Sequence, residues 1–503
     1  MSLATAPAGS VRPVKAPFKR LRGHLIGLSA ILAGALVLRL IAGVAFVNYD
    51  TLYALGWGGQ LARGEVPAYA APIAPTPHPL LELLGIVLTP LGPRTELDVT
   101  LALAFGALAA CGWVVFRLAG AWFGWAAGAL AALVFLTRVP VLSYGVRAYL
   151  DIPYLLLVLS ALLVETRRPR AGAPVLVLLA LAGLLRPEAW VFSGLYWLYI
   201  LDLLPAVLLA RLPSGPCRRS RRDLLVLTLL GGAAPVVWLL SDLAITGHLF
   251  WSLTNTRHTA STLDRTTGIA NVPEYIPRRI GEILRPAGLL GAGIGGVLSL
   301  WWLRGRALPG ALVGVLAVLV FAAFATVGLP INSRYAFLAA AVLCIFCGAG
   351  AFGWTRLPRG DRRRLPWMAL GGLIVLALIA YAPSQYRTAH RQLDELGRQA
   401  RVEGDLVALV RSGAINVRCG PVGVPNHAPI PLLALYLETD PENIISSEVG
   451  GAKLESGVYV DPAGAQVERD YALDPRDPHS PVSVPPGFRE AATNSSWLIF
   501  KHC

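Results

Sequence analysis

Residues His24 to Asp50 read HLIGLSAILAGALVLRLIAGVAFVNYD. As far as Val47 the stretch is almost wholly apolar, and it exceeds the roughly 20 residues a helix needs to cross a bilayer core. Arg12, Lys15, Lys19, Arg20 and Arg22 precede it, and Asn48-Tyr49-Asp50 follows it. Lysine and arginine collect on the cytoplasmic side of a membrane. The helix is therefore expected to run outward and to leave Asp50 at the external face, where a long loop begins. A carboxylate there meets both water and lipid headgroups.

The rest of the chain repeats this pattern. Hydrophobic residues make up 55% of it and mean hydropathy is +0.58, above globular values, so most of the chain belongs in lipid. A net charge of +14 would suit a nucleic-acid partner. Its distribution argues against one, because the basic residues fall in short clusters between apolar runs: Arg167, Arg168 and Arg170; Arg211, Arg218, Arg219, Arg221 and Arg222; Arg304 and Arg306; Arg356 to Arg364. Such clusters mark cytoplasmic turns.

The fold class expected is an α-helical polytopic membrane protein of about eleven transmembrane helices with a small external C-terminal α/β domain. Spans are expected near 24–47, 97–116, 121–137, 148–165, 172–185, 188–210, 224–244, 286–303, 307–328, 334–354 and 366–383. The apolar stretch Pro79 to Leu91 is short, carries Glu82 and is bounded by prolines. Counting it as a crossing would place Arg167 to Arg170 outside, so it is expected to be an external interfacial helix. The division is then a cytoplasmic basic N-terminus (1–23), a membrane domain (24–383) with external loops at 48–96 and 245–285, and an external domain (384–503). The localisation expected is the plasma (inner) membrane, multi-pass, with the N-terminus cytoplasmic.

In residues 384–503 the long apolar runs stop, and 11 Lys+Arg face 15 Asp+Glu. Strand-like stretches at 415–419, 443–446, 457–460 and 496–501 surround a helix at 431–438. Cys419 and Cys503 are the cysteines of this region, and an external location favours a disulfide between them. Cys344 and Cys347 form a CxxC inside an apolar run, which reads as helix packing.

The polar residues of the external side are the ones that can carry chemistry. The first external loop holds Asp50, His78 and Glu82. The next turn holds Arg147 and Asp151, the latter opening a helix. Arg186-Pro187-Glu188 forms a third turn. The loop 245–285 holds Arg257 and His258, and Asn332-Ser333-Arg334-Tyr335 opens a late span. External arginines run against the positive-inside bias. Beside carboxylates they suit a reaction that expels a lipid phosphate: arginines bind the phosphate bidentately and stabilise its growing charge, and a carboxylate takes the proton of an attacking hydroxyl.

Over residues 24–355 the chain resembles the GT-C superfamily of membrane glycosyltransferases. This family includes protein mannosyltransferases, lipid A aminoarabinose transferases, and arabinosyl- and mannosyltransferases of actinobacterial envelopes. The resemblance rests on Arg39 in the first helix, Asp50 at its outer end, His78-Pro79 leading into an interfacial helix, Arg147 ahead of Leu150-Asp151, Arg186 to Glu188, and Arg334-Tyr335. It implies a polyprenyl-phosphate sugar donor of mannose or arabinose type. The acceptor would be an envelope glycolipid, polysaccharide or protein, and the reaction one inverting displacement. Asp50 would be the base. Arg334 and Arg257 would hold the leaving phosphate, Asp151 and Glu188 would position hydroxyls, and helix 79–91 would line the lipid groove. Thr51 follows Asp50 where many relatives carry a second acid, so no metal ligands are assigned and a divalent cation is left open. A transporter or lipid flippase, or a non-catalytic envelope scaffold, is the alternative.

Overall fold

The computed structural model describes residues 16–203, 220–448, 454–468 and 484–503. Most of the basic N-terminus, the end of the span expected at 188–210, and Arg211, Arg218 and Arg219 lie outside the described residues.

Every span expected from the sequence is found as a helix. They are α1 (Ala16–Ala42), α4 (Pro93–Phe123), α5 (Trp125–Leu136), α7 (Asp151–Arg167), α8 (Ala173–Gly183), α9 (Glu188–Ile200), α10 (Arg221–Thr246), α12 (Val272–Trp302), α13 (Arg304–Thr326), α14 (Phe337–Phe352) and α15 (Arg364–Arg411). Among the described residues, seven helical segments are long and apolar enough to cross a bilayer by themselves. The helices α5, α7, α8 and α9 are shorter. Among the described residues this is a multi-pass α-helical membrane protein with a small C-terminal sheet domain.

The helix ends sort into two groups. At one end the chain gathers Asn48, Ala148, Arg186 and Arg334. At the other, Arg306 and Arg356 donate to the carbonyls of Trp122 and Gly120 at the C-terminus of α4, and Arg170 pairs with Asp202 at 2.8 Å. The arginine-rich turns thus share one end of the bundle and the carboxylates of interest the other.

Helices in lipid gain little from apolar burial against one another, so close approach through small residues takes over. A Cβ on Gly295 of α12 would lie 1.9 Å from the Phe346 carbonyl of α14. That crossing holds α14 in the centre of the bundle, where nearly every residue of the helix is buried.

Three helices lie where loops or turns were expected. The first external loop is largely helical: α2 (Tyr49–Ala62) follows Asn48 directly, and α3 (Pro79–Leu88) continues into a 3-10 turn to Leu91. The α2 sequence carries Gly56, Gly58 and Gly59, which lower helix propensity. Its packing explains one of them. A Cβ on Gly58 would lie 2.2 Å from the Glu82 carbonyl of α3, so α2 and α3 cross backbone to backbone. The turn expected after α5 is the helix α6 (Val139–Val146), bent 65° from α5. Arg138 holds that elbow. Its guanidinium donates to the carbonyls of Val134 and Leu284, both at 2.9 Å, the second beside the break of α12 at Arg285. In the loop expected at 245–285, α11 (Trp251–Thr262) precedes α12, which begins well before the span.

The boundary expected at 383 is not a break, because α15 runs through Pro383 to Arg411. Composition changes there from apolar to polar, but residues such as Gln, Leu, Glu, Arg and Ala on the polar side keep the helix going. Beyond it stands a five-stranded sheet of β1 (Val422–Val424), β2 (Ile444–Ser446), β3 (Gly457–Pro462), β4 (Arg489–Thr493) and β5 (Trp497–His502), in the order β2-β1-β3-β5-β4. The β1 strand is parallel to β2 and β3, and β5 is antiparallel to β3 and β4. The helix α16 (Ile430–Leu437) connects β1 to β2. Residues 417–419 form a 3-10 turn, so the strand expected at 415–419 begins only at Val422. The edge strand β4, largely exposed, escaped the apolar pattern. Cys419 and Cys503 form a disulfide with Cα atoms 5.1 Å apart. The domain shares a core with α2: Leu52, Leu55 and Trp57 pack in one cluster with Leu406, Ile430, Leu433 and Trp497.

Candidate active site

The first turn of α2 is built by one asparagine. Asn48 caps the helix, its Oδ1 accepting from the backbone N–H groups of Asp50 (2.9 Å) and Thr51 (3.2 Å). Its Nδ2 donates to the Arg147 carbonyl at 2.9 Å, and the Thr51 hydroxyl donates to the Ala148 carbonyl at 2.9 Å. These bonds staple the start of α2 to the segment ahead of α7, and so bring Asp50 and Asp151 to one place. Asp50 therefore opens a helix rather than a loop, and only 17% of its side chain is exposed.

From Asp50 an alternating series of charges crosses the end of the bundle. Arg334 sits in the 3-10 turn heading α14, and its Nη1 donates to Asp50 Oδ2 at 2.6 Å. The same nitrogen lies 3.8 Å from Asp151 Oδ2. Asp151 accepts from Arg186 through its other oxygen. Arg186 also donates to Glu188 Oε1 from Nε (3.0 Å) and Nη2 (2.6 Å). The Arg186 guanidinium stacks on the Tyr335 ring, 4.3 Å from its centroid. Three carboxylates and two guanidiniums thus alternate: Asp50, Arg334, Asp151, Arg186, Glu188. Glu188 Oε2 and Asp151 Oδ2 are buried and have no hydrogen-bond partner among the described residues, so each can still accept a hydroxyl.

Arg147 closes the arrangement on another side. It donates to the Ser143 carbonyl and hydroxyl, and its guanidinium lies over Tyr144 (5.3 Å) and Tyr149 (4.9 Å). The guanidinium of Arg334 lies 5.8 Å from the same Tyr149 ring. Arg147 forms no salt bridge among the described residues, and Arg334 uses one nitrogen on acids, so N–H groups of both remain for a further anion.

His78, the residue before α3, is buried. Burial pushes its imidazole down to about 3, the Asp50 charge pulls the other way, and Arg186 and Arg334 add to the lowering. The ring is accordingly neutral at physiological pH. For Asp50 burial acts to raise the carboxyl. The Arg334 charge and hydrogen bond outweigh it, with help from the Arg186 charge, and hold Asp50 below the ordinary carboxylate range.

Other residues expected at the site stand elsewhere. Glu82 accepts from the Tyr69 hydroxyl (2.6 Å) and the His78 N–H (3.2 Å), so both its oxygens serve α3 and the loop before it. Burial raises it to about 7 against those two bonds. Arg257 is exposed, and its Nε donates to the Val327 carbonyl. His258 is an exposed residue of α11. Neither makes a bond to the charge series. Sequence reasoning passed over Asn48, Tyr149 and Tyr154, whose ring centroid lies 5.7 Å from the Arg186 guanidinium. An asparagine two residues ahead of an aspartate in a first helical turn was the available sign for Asn48. Among the described residues no group of three or more His, Cys, Asp and Glu side chains is arranged to hold a metal.

Arg186, Glu188 and Arg334 open on a cavity of about 380 Å³, open space included. Its farther wall is apolar: Phe192 of α9, and Ala317, Val320, Phe321 and Phe324 of α13. Helix 79–91, expected to line a lipid groove, does not line this cavity: α3 packs on α2 and leaves Leu83 and Val87 exposed.

The crystal structure of ArnT from Cupriavidus metallidurans bound to undecaprenyl phosphate superposes with a TM-score of 0.57 over 95% of this chain and 98% of that one, at 14% identity. The apo structure of the same protein gives 0.56, 96%, 98% and 13%. The chain has the fold of ArnT. At this identity the likeness to ArnT speaks for the fold, including the C-terminal domain that the coverage takes in. No protein-family model and no curated protein matches the chain.

Proposed function

We propose that the chain is a membrane glycosyltransferase that takes a sugar from a polyprenyl-phosphate donor and places it on a hydroxyl of an envelope glycan, glycolipid or protein. One observation carries the reading: Arg334, bonded to Asp50 and close to Asp151, stands at the mouth of a cavity with an apolar far wall. A phosphate ester of a long isoprenoid needs cationic donors for its head and an apolar wall for its tail, side by side. The ArnT structure of the same fold was solved with undecaprenyl phosphate bound, which supports this ligand class.

In this reading the donor phosphate lies against the free N–H groups of Arg334 and Arg147, with its tail along Phe192 and Phe324. Asp151 and Glu188, fixed by Arg186, accept sugar hydroxyls through their unpartnered oxygens. The acceptor hydroxyl attacks the anomeric carbon as the bond from that carbon to the phosphate oxygen breaks. Its proton passes to Asp50 and then to water, and polyprenyl phosphate leaves. Arg334 has two tasks. In the free protein it holds Asp50 in the ionised form. When a phosphate shares the guanidinium, Asp50 loses part of that bond and becomes a better proton acceptor, since basicity rises as the stabilising charge is drawn off. The sugar is of mannose or arabinose type in this proposal, and the reactive face is the external one. A divalent cation is tested by chelation.

The experiment is reconstitution of the full chain in liposomes with radiolabelled polyprenyl-phosphate mannose or arabinose, following transfer to envelope extracts and the release of polyprenyl phosphate. Label leaving the lipid at a rate set by the protein is the expected result. A folded protein that instead moves the lipid or a solute across the bilayer with no bond broken would replace this reading with a transporter.

A further inference from the structure

A second cavity lies on α2, between it, the start of α4, and α16 of the soluble domain. It has about 770 Å³ of empty space, counting solvent at its mouth. Glu96 of α4 and Tyr53 of α2 line it. Both are buried, at 2% and 1% exposure; Glu96 Oε1 has no hydrogen-bond partner among the described residues, and the Tyr53 hydroxyl has the Tyr49 hydroxyl beside it. Buried polar groups are nearly always hydrogen-bonded, so such groups in one cleft point to a ligand that completes them. Arg63 is the cleft's cation, and it is already paired with Glu65 at 2.8 Å. Glu438, on the opposite rim, is held in the left-handed region at φ 51°. A phosphate finds no unpaired positive group here. A sugar hydroxyl, both donor and acceptor, satisfies a carboxyl oxygen and a phenol alike.

We propose that this cleft is an acceptor subsite that binds a neutral sugar residue of a glycan, next to the residue that reacts. The proposal rests on the glycosyltransferase reading and names its acceptor class as an oligosaccharide. Tyr53 lies one turn of α2 beyond Asp50, and Gly59 two turns further, so the cleft begins about 5 Å along the helix from the base and continues for about another 9 Å. The α2 residues that line it, from Leu52 to Arg63, centre on a face about 120° round from Asp50, so the glycan would pass round the start of the helix to set its terminal hydroxyl at Asp50. The soluble domain is required for it, since Ala434, Leu435, Glu438 and Thr439 form the far side.

The test uses the full chain in detergent and two probes, α-1,6-mannotriose and α-1,5-arabinotriose, followed by saturation transfer from protein to sugar protons. A Cβ on Gly56 meets nothing within 4 Å, so Gly56→Leu projects into the cleft without a clash. One trisaccharide should bind saturably, and Gly56→Leu and Glu96→Ala should each weaken it at least 10-fold. Undecaprenyl phosphate should not displace it. Absence of saturable binding by both probes, binding indifferent to Gly56→Leu, or displacement by undecaprenyl phosphate would overturn the proposal. Sugar binding that persists in a protein without transfer activity would leave the subsite standing and remove the glycosyltransferase reading, so the two fail separately.

Discussion

Replacing Asp50 by asparagine separates the two roles the structure gives this residue. Asp50→Asn keeps the size of the side chain and the cap from Asn48, but it cannot take a proton. Loss of a general base costs about 10² to 10⁴ in rate, so turnover should fall by that factor. Donor affinity should move the other way. The Asp50–Arg334 bond of 2.6 Å must be partly surrendered to the incoming phosphate. A hydrogen bond to a charged group contributes about 1.5–3 kcal/mol. Both side chains are about a fifth exposed, which puts this pair toward the lower end. Since about 1.4 kcal/mol is tenfold, the amide should tighten undecaprenyl phosphate binding roughly 10-fold. The assay pairs single-turnover transfer from a labelled donor with donor titration by tryptophan fluorescence in the same detergent. Near-normal turnover by the folded variant would refute the base. Weaker donor binding would refute the competition for Arg334.

Three further outcomes follow from the same geometry. Asp50 must be ionised to act and its carboxyl is held low, so the acid limb of kcat/KM should lie below the usual value of about 3.9. Arg334→Gln should move it upward, and in wild type the limb of kcat should lie above that of kcat/KM; a limb unmoved by Arg334→Gln contradicts the ion pair. Gly58→Leu forces a side chain into the α3 backbone, so it should lower the thermal midpoint and abolish transfer, whereas unchanged stability would contradict the crossing of α2 and α3. Single cysteines near Pro358 and Glu455 should react with impermeant maleimide from opposite faces of oriented vesicles, and labelling from one face would reject the topology.

The sequence revealed what depends on local pattern. Long apolar runs marked the spanning helices, and basic clusters sorted the turns into two sets that the fold does place at opposite ends. It hid what depends on packing. The helix α2 carries three glycines that only make sense once α3 lies against one of them, and α6 is a short helix with Pro140 and Gly145, easily taken for a turn. Asp50 and Arg334 are 284 residues apart, and Asp151 and Arg186 are 35 apart. Sidedness made them candidates together, but not their order as alternating neighbours. Sidedness also promoted Arg257, whose Nε bonds the Val327 carbonyl and which makes no bond to the charge series, and it ranked Arg147 no higher than its neighbours. A linear sequence assigns a residue to a face; it does not say how deep the residue sits or what it touches.

The most direct measurement is a cryo-EM structure of the full chain with undecaprenyl phosphate. The account predicts the phosphate within hydrogen-bond distance of Arg334 and Arg147, the isoprenoid tail against Phe192 and Phe324, and a lengthened Asp50–Arg334 contact. A lipid bound elsewhere on the bundle, with that contact intact and the cavity at Arg334 empty, would contradict it.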